Sequence, residues 1–348
     1  MMKIRIIGSG LIGTSMGLRA VLQGASVEMV DSDARNAGLA QDLMGPCGVE
    51  PPEIVVFALP TSRLSLVAKQ EFLLNPEAIF MDVGSVKTKP QHDIEVIPGL
   101  SPRFCGTHPM AGRESGGPEA ARGDLFEGRP WILCPSEHTL GTTFQKVHDF
   151  VLSLGADPIR MSALDHDRTV ASISHLPQIV SSLLAAQLHR MDEDGLALAG
   201  QGLRDTTRIA HSDPHLWREI ISMNREEILP LLLLLQDDMA ELIREFNEPT
   251  KIEEFIRVGK EGASLIPGKH GGRARDYSYL PIVIEDKPGQ LAALFDECAK
   301  VGVNVEDLTI EHSPGQFTGL ISLALSHTDA VKLSRHLSDN GWKVHSLR

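Results

Sequence analysis

Short apolar runs alternate with amphipathic stretches over the first 160 residues. Ile4, Ile6 and Ile7 make a brief buried strand, and an apolar helix follows to about Gln23. A second strand, Val27 to Val30, closes at Asp31. The runs EIVVFALP (53–60) and AIFMDVGS (78–85) are again apolar and end in polar or turn residues, with a helical stretch from Arg63 to Leu74 between them. Strands alternating with helices predict an α/β fold built on a parallel, doubly wound sheet. From about Ser162 the period lengthens to that of helices. SALD (162–165) reads as a capping box, and its helix runs to about His189 with Pro177 as a kink. His175 and His189, fourteen residues apart, fall near one face of that helix. Asp213 and Pro214 open another helix as N-cap and first residue. The stretch 226–246 is apolar on several faces, which predicts burial, here by a second subunit.

After a glycine-rich, basic linker (266–278) the pattern changes again. It reads strand (280–285), helix (289–300), strand (303–311), strand (317–325), helix (328–339), strand (342–347). That is a βαββαβ unit of ferredoxin-like type. The expected division is therefore 1–160, a Rossmann-like dinucleotide-binding domain; 161–265, an all-helical domain for substrate and dimerisation; the linker; and 279–348, a small terminal domain.

The first strand, loop and helix carry specific chemistry. Gly8, Gly10 and Gly13 stand in GxGxxG spacing. Gly8 permits the tight turn, Gly10 lets backbone approach a pyrophosphate, and Gly13 lets the helix pack closely on the strand. The pyrophosphate would rest on the free N–H groups of the helix start. Asp31 would accept hydrogen bonds from ribose hydroxyls and repel a 2′-phosphate, which favours NAD over NADP, although Arg35 lies close enough to weaken that preference. In a doubly wound sheet, ligands collect at the carboxyl ends of the strands. Ser85 and His108 are both expected just past strand ends. His108 stands where an apolar strand runs into a glycine-rich loop, FCGTHPMAGRESGG (104–117), and by itself it reads either as structural or as functional.

Composition narrows the partners. With 348 residues, two or three domains are expected. The formal net charge of −13 repels nucleic acid and anionic membrane. A small anionic substrate would therefore need locally placed cations. The four cysteines form no CxxC pair and read as reduced thiols of a cytoplasmic protein. MMKIRIIGSG leads straight into a strand with no signal peptide, and the apolar run 228–235 is far shorter than the roughly 20 residues of a membrane span. No metal-ligand cluster is evident.

The motifs GSGLIGTS, DVGSVKTK, GTHPMAGRESGG, SISHLPQ, RDTTRIAHSDPHLW and IPGKHGG, in this order and across nearly the whole chain, resemble prephenate dehydrogenase, the NAD-dependent enzyme of tyrosine synthesis. DKPGQLAALFDECAKVGVNVEDLTI resembles the start of an ACT domain, a regulatory module that binds amino acids. The resemblance implies NAD as cofactor, held by Gly8, Gly10, Leu11, Ile12, Gly13, Asp31 and Pro60. It implies that His108 accepts the hydroxyl proton of prephenate while hydride passes to nicotinamide, with Ser85 bridging substrate, His108 and cofactor. Arg208 would hold a carboxylate and His189 would contact the side-chain end of the substrate. Glu114 would gate the pocket or pair with an arginine. Arg113 is either a second carboxylate clamp or a solvated arm. His175 would stand behind the site, and Asp205 would orient an arginine. Tyrosine would bind the terminal module near Asp286, Pro288, Gly302 and Asn304 as effector. No metal is implied, and a homodimer through the helical domain is expected. Arogenate as substrate, a β-hydroxyacid dehydrogenase and a non-catalytic NAD- and amino-acid-binding sensor are the alternatives. The β-hydroxyacid reading lacks its lysine–asparagine pair in the middle region.

Overall fold

The structure is a computed structural model that describes residues 2–112, 116–266, 277–312 and 317–347. It divides into two compact units, Met1–Asp238 and Met239–Arg348.

The first unit begins β1 (Lys3–Ile7), α1 (Leu11–Leu22), β2 (Ser26–Val30), α2 (Ala34–Met44), β3 (Ile54–Phe57), α3 (Leu64–Leu74), β4 (Ile79–Asp82) and α4 (Thr88–Glu95). It continues through β5 (Phe104–Pro109), β6 (Pro130–Cys134), α5 (Gly141–Ser153) and β7 (Asp157–Arg160). The sheet order is β2-β1-β3-β4-β5-β6-β7. The first five strands in that order are parallel, as expected. β6 then runs antiparallel to β5, and β7 parallel to β6, so the sheet is mixed at one edge.

Period-two alternation sends side chains to both faces. Ile4, Ile6, Val56 and Met81 point into one core with Met16, Trp131 and Phe150. Ile7, Val55, Phe57 and Phe80 point into the other with Leu64, Ala68 and Ile94. Helices therefore cover both faces, as in a doubly wound sheet. The chain leaves β1 for β2 on one side and returns to β3 on the other. This reversal opens a crevice at the carboxyl ends of β1 and β3.

The helical part follows as α6 (Ala163–Val170), α7 (Leu176–Gln187), α8 (Glu193–Ala197), α9 (Gln201–Thr207), α10 (Pro214–Met223) and α11 (Arg225–Arg244). The capping box is present: Ser162 Oγ accepts from Asp165 N at 3.0 Å. Asp213 caps α10, with its carboxylate accepting from His215 N. Between α6 and α7, residues 171–175 wind as a single π-turn. Pro177 cannot donate to the carbonyl four residues back, and the wider turn absorbs that missing bond. The run Ala163–Arg190 is long and apolar enough, by length and composition alone, to cross a membrane. Its inner side instead buries His166, Asp167 and His175, which bond to other parts of this unit. α11 was expected to be buried by a second subunit; within the protomer, Ile228 is its one buried residue.

The second unit contains α12 (Pro249–Ala263), β8 (Ser278–Glu285), α13 (Gln290–Val301), β9 (Asp307–His312), β10 (Thr318–Leu325), α14 (His327–Asp339) and β11 (Lys343–Val344). The sheet order β11-β8-β10-β9 is antiparallel throughout, the ferredoxin-like arrangement of a βαββαβ chain. Leu280, Ile282, Ile321 and Leu323 meet Leu294, Leu333 and Leu337 in its core. The third element starts later than the apolar pattern suggested. Gly302 closes α13 in the left-handed conformation at φ 64°, and Val303 N still bonds back to Cys298 O. Residues 303–306 therefore serve as a connection rather than as strand.

Candidate active site

Steric geometry explains two of the three glycines, Gly8 and Gly13. Gly8 has φ 111°, and a Cβ there would lie 2.0 Å from the Ala58 carbonyl oxygen. A Cβ on Gly13 would lie 2.0 Å from Gly8 O and 3.0 Å from Ala58 Cβ, so α1 packs directly on the loop and the end of β3. Gly10 differs: a Cβ there would meet nothing within 4 Å. Gly10 also begins α1, and no side chain caps that helix. Its first-turn N–H groups therefore face an open cradle that suits a phosphate anion. Asp31 closes the crevice on the β2 side. It accepts from Ser9 N at 2.6 Å and from Asp33 N at 2.9 Å, so it fixes the loop and keeps a negative charge beside it. Leu11 is buried, Ile12 half-buried, and Pro60 exposed at the end of the segment following β3. These residues fit a dinucleotide.

His108 is the fifth residue of β5, one position inside the strand rather than past its end. Its Nδ1 lies 2.8 Å from Nε2 of His166. His166 Nδ1 lies 2.8 Å from Asp167 Oδ1. Asp167 also accepts from Lys87 N and Thr88 N, each at 2.8 Å. One carboxylate thus ties α6 to the first turn of α4 and to the histidine pair. His166 and Asp167 are each 1% exposed.

A second buried anchor stands behind this chain. Asp82, the last residue of β4, is ion-paired to Lys87 Nζ, and both are almost fully enclosed. Lys87 Nζ also donates to Thr107 O at 2.7 Å. Asp82 accepts from Gly84 N at 3.0 Å and Thr107 N at 3.1 Å. Every strong hydrogen-bonding group of the pair is engaged, the condition under which a buried ion pair is tolerated. The knot fixes the loop 83–87, which carries Ser85. Among the described residues no hydrogen bond joins Ser85 to His108.

The helical wall adds His175, which is buried. Its Nδ1 lies 3.0 Å from Asn224 Nδ2, which also donates to Asp167 O at 2.8 Å. Its ring meets Trp217 edge-on at 5.9 Å between centroids.

Not every expected residue joins this cluster. His189 is exposed, and fourteen residues of helix separate it from His175, about 20 Å at helical rise. Facing one side of a helix does not make two residues neighbours, and the structure does not bring His189 to the site. Asp205 was expected to orient an arginine. Its carboxylate accepts instead from Gln201 Nε2 at 2.7 Å, one turn back on α9. Arg208 begins the short turn Arg208–His211 and is exposed, with a partner of its own. Arg113 and Glu114 lie outside the described residues. In the terminal module, Asp286 and Pro288 line a hollow of about 340 Å³, whereas Gly302 and Asn304 do not. Asn304 donates to Glu306 at 2.9 Å.

The reading of the chain missed His166, Asp167, Lys87, Asp82 and Asn224 as site residues. Their one signal was a histidine and an aspartate adjacent inside an otherwise amphipathic helix, LDHDR. Nothing in sequence spacing ties that pair to position 108, fifty-eight residues earlier.

Burial controls the protonation of these groups. His108 is held well below the ordinary imidazole value, first by burial and then by His166, Lys87 and His175. His175 is pushed down to about 4, again mainly by burial, against the pull of Asp167. Burial would raise Asp167, but hydrogen bonds from His166, Thr88 and Lys87 outweigh it and hold the carboxyl below its usual value. The site therefore presents a neutral imidazole backed by an ionised carboxylate.

A phosphate cradle at a switch point, with an acceptor imidazole on the same sheet, belongs to the class of nucleotide-dependent oxidoreductases. Comparison with known families narrows this. Residues 17–160 match the nucleotide-binding domain of prephenate dehydrogenase, and residues 162–261 match its dimerization domain. The chain belongs to the prephenate dehydrogenase family. It is 29% identical to a probable prephenate dehydrogenase of Streptomyces niveus, over 98% of this chain and 99% of the relative. A prephenate dehydrogenase of Bacillus subtilis is 27% identical, over 94% and 93% of the two chains. Among solved structures, that of prephenate dehydrogenase from A. aeolicus with hydroxyphenyl propionate and NAD+ superposes with a TM-score of 0.68 at 28% identity. It covers 76% of this chain and 99% of that one. The arogenate dehydrogenase of Synechocystis gives a TM-score of 0.62 at 26% identity, covering 76% and 100%.

Two outcomes follow from this geometry. Gly8→Ala should lower unfolding free energy by roughly 2–4 kcal/mol, because its Cβ strikes backbone at positive φ. Gly10→Ala should melt like the wild type and lose nucleotide affinity. Denaturant titration and nucleotide calorimetry check the pair, and equal stability losses would refute the distinction. Second, His108 and His175 are neutral when folded but take the ordinary value, near 6.5, when unfolded. The unfolded chain then binds more protons below that pH, so stability falls as pH drops from about 6.5 towards about 4. At about pH 5 the loss should reach up to about 2 kcal/mol per histidine. Denaturation curves at several pH values measure it, and a flat profile would mean that these imidazoles are charged in the folded protein.

Proposed function

We propose that the enzyme oxidises prephenate with NAD+, releasing the ring carboxylate as CO2 and leaving 4-hydroxyphenylpyruvate. The observation that carries this reading is the His108 imidazole. It is neutral and engaged at Nδ1, and its Nε2 has no bond among the described residues. It lies on a sheet that also carries a fitted dinucleotide cradle. The names of the relatives supply the substrate class.

The open space at Gly10 and the uncapped start of α1 receive the pyrophosphate, and Asp31 takes the ribose hydroxyls. Its charge disfavours a 2′-phosphate. NAD+, when bound, supplies the hydride acceptor. His108 Nε2 accepts the proton of the substrate's ring hydroxyl as the C–H bond breaks. Ser85, on the loop pinned by Asp82 and Lys87, donates a hydrogen bond that holds that hydroxyl. Arg208 presents a planar fork to a carboxylate, the local cation that an enzyme of net charge −13 requires. Loss of CO2 sends the electron pair of the broken C–C bond into the ring, and the phenolate oxygen so formed takes the proton back from His108. The gain in aromaticity then makes the reaction irreversible.

Arogenate is the second reading, because the relatives include an arogenate dehydrogenase and a cyclohexadienyl dehydrogenase of Zymomonas mobilis. The βαββαβ unit is assigned as an ACT domain that binds tyrosine as inhibitor. Its sequence and the hollow beside Asp286 and Pro288 support this. A homodimer through the helical domain accounts for the apolar side chains left exposed on α11 and α12, among them Leu234, Ile243 and Ile256.

NADH formation assayed with prephenate and with arogenate, each with and without tyrosine, tests these assignments. Prephenate should be oxidised, and tyrosine should slow it. Turnover of arogenate alone would overturn the substrate, and kinetics indifferent to tyrosine would overturn the effector. Replacing His108 by Asn should lower kcat by roughly 10²- to 10⁴-fold with NAD+ affinity unchanged. Unaltered turnover would remove His108 from the reaction.

A further inference from the structure

His166 and Asp167 lie out of reach of any substrate on the β5 side except through His108. They are enclosed, they are joined to each other, and His166 meets His108 at its Nδ1. The far end of this chain orients its bonds. Asp167 is an acceptor, because two backbone donors, Lys87 N and Thr88 N, already point at its oxygens. A protonated carboxyl would have to aim its hydrogen at one of them or give up a bond. His166 Nδ1 therefore carries the proton and donates to Asp167. The neutral form of His166 then has a lone pair at Nε2, an acceptor. The 2.8 Å contact pairs that lone pair with a donor at His108 Nδ1. The only nitrogen of His108 left to accept a proton is Nε2.

We infer that His166 and Asp167 are positioning residues that set the tautomer of His108 and so make its Nε2 the base. This deepens the proposed function and rests on it for the identity of the proton acceptor. Free imidazole favours the opposite tautomer, with hydrogen on Nε2, which could not take up the substrate proton. The chain thus spends buried polar groups to impose the less favoured form. The same bonds act after the proton has arrived. The imidazolium of His108 keeps Nδ1–H on His166 Nε2, and Asp167 makes that acceptor more basic through its own bond to Nδ1–H. No proton needs to move beyond His108. The arrangement follows the logic of a carboxylate that orients a histidine base, with a second histidine inserted between them.

Nitrogen-15 NMR of the full-length protein, with ring resonances assigned by comparison with His108→Asn, reads the tautomer without catalysis. The wild type should show His108 protonated at Nδ1. In His166→Leu the proton should move to Nε2, and kcat should fall by roughly 10- to 10²-fold with NAD+ affinity and substrate KM within a factor of about two. His166→Gln keeps an acceptor oxygen for Nδ1–H and should restore most of both signals. A wild-type His108 protonated at Nε2 would overturn the inference whatever the variants do. So would a well-folded His166→Leu whose tautomer and kcat match the wild type. If the tautomer shifts as expected while His108→Asn retains full activity, the positioning stands and it is the assignment of His108 as base that fails.

Discussion

The carboxylate of Asp167 is the contact on which the rest of the site depends. It receives the backbone N–H groups of Lys87 and Thr88 and the ring N–H of His166, and the bonds from Lys87 and His166 are buried, where an unmet bond would be costly. Through the first two it fastens α6 to the start of α4, and hence the helical segment to the sheet. Through the third it reaches His108. A buried charge of this kind is stable only when its partners are complete, so the same requirement that joins the two parts of the unit also fixes the chemistry.

A second constraint acts alongside it. Asp82 and Lys87 neutralise each other at the end of β4 and hold the loop that carries Ser85 against β5. The nearby ammonium also works against a second positive charge, which helps keep His108 neutral. Charge is thus distributed around the imidazole: a cation on one side, a second histidine and then an anion on the other. The dinucleotide cradle has a different physical basis. It needs no charged side chain. It follows from absent side chains at Gly8, Gly10 and Gly13 and from the unfilled N–H groups of a helix end.

Much of this was legible in the chain. Alternation of apolar runs with helical stretches located β1 to β4, α1 and α3 within a few residues, because burial on both faces of a parallel sheet leaves a strong local pattern. The glycine spacing marked Gly8 and Gly13, where a Cβ would strike backbone 2.0 Å away and only glycine fits. The capping box at Ser162 and the cap at Asp213 were equally local. The antiparallel turn of the sheet at β6 was not legible, because direction is decided by which strand edge a segment finds. His189 misled for a related reason. Helical periodicity reports a face and carries no information on distance along the axis.

The sequence by itself determined the elements, the glycine cradle and the placement of one histidine at the end of a strand, because each depends on neighbours within a few residues. Only the tertiary structure decided that His166 and Asp167 stand behind that histidine and that Asp167 holds the start of α4. Those relations join residues fifty-eight to eighty positions apart. They arise because buried donors and acceptors must find one another, and which ones meet depends on how the helices close over the sheet.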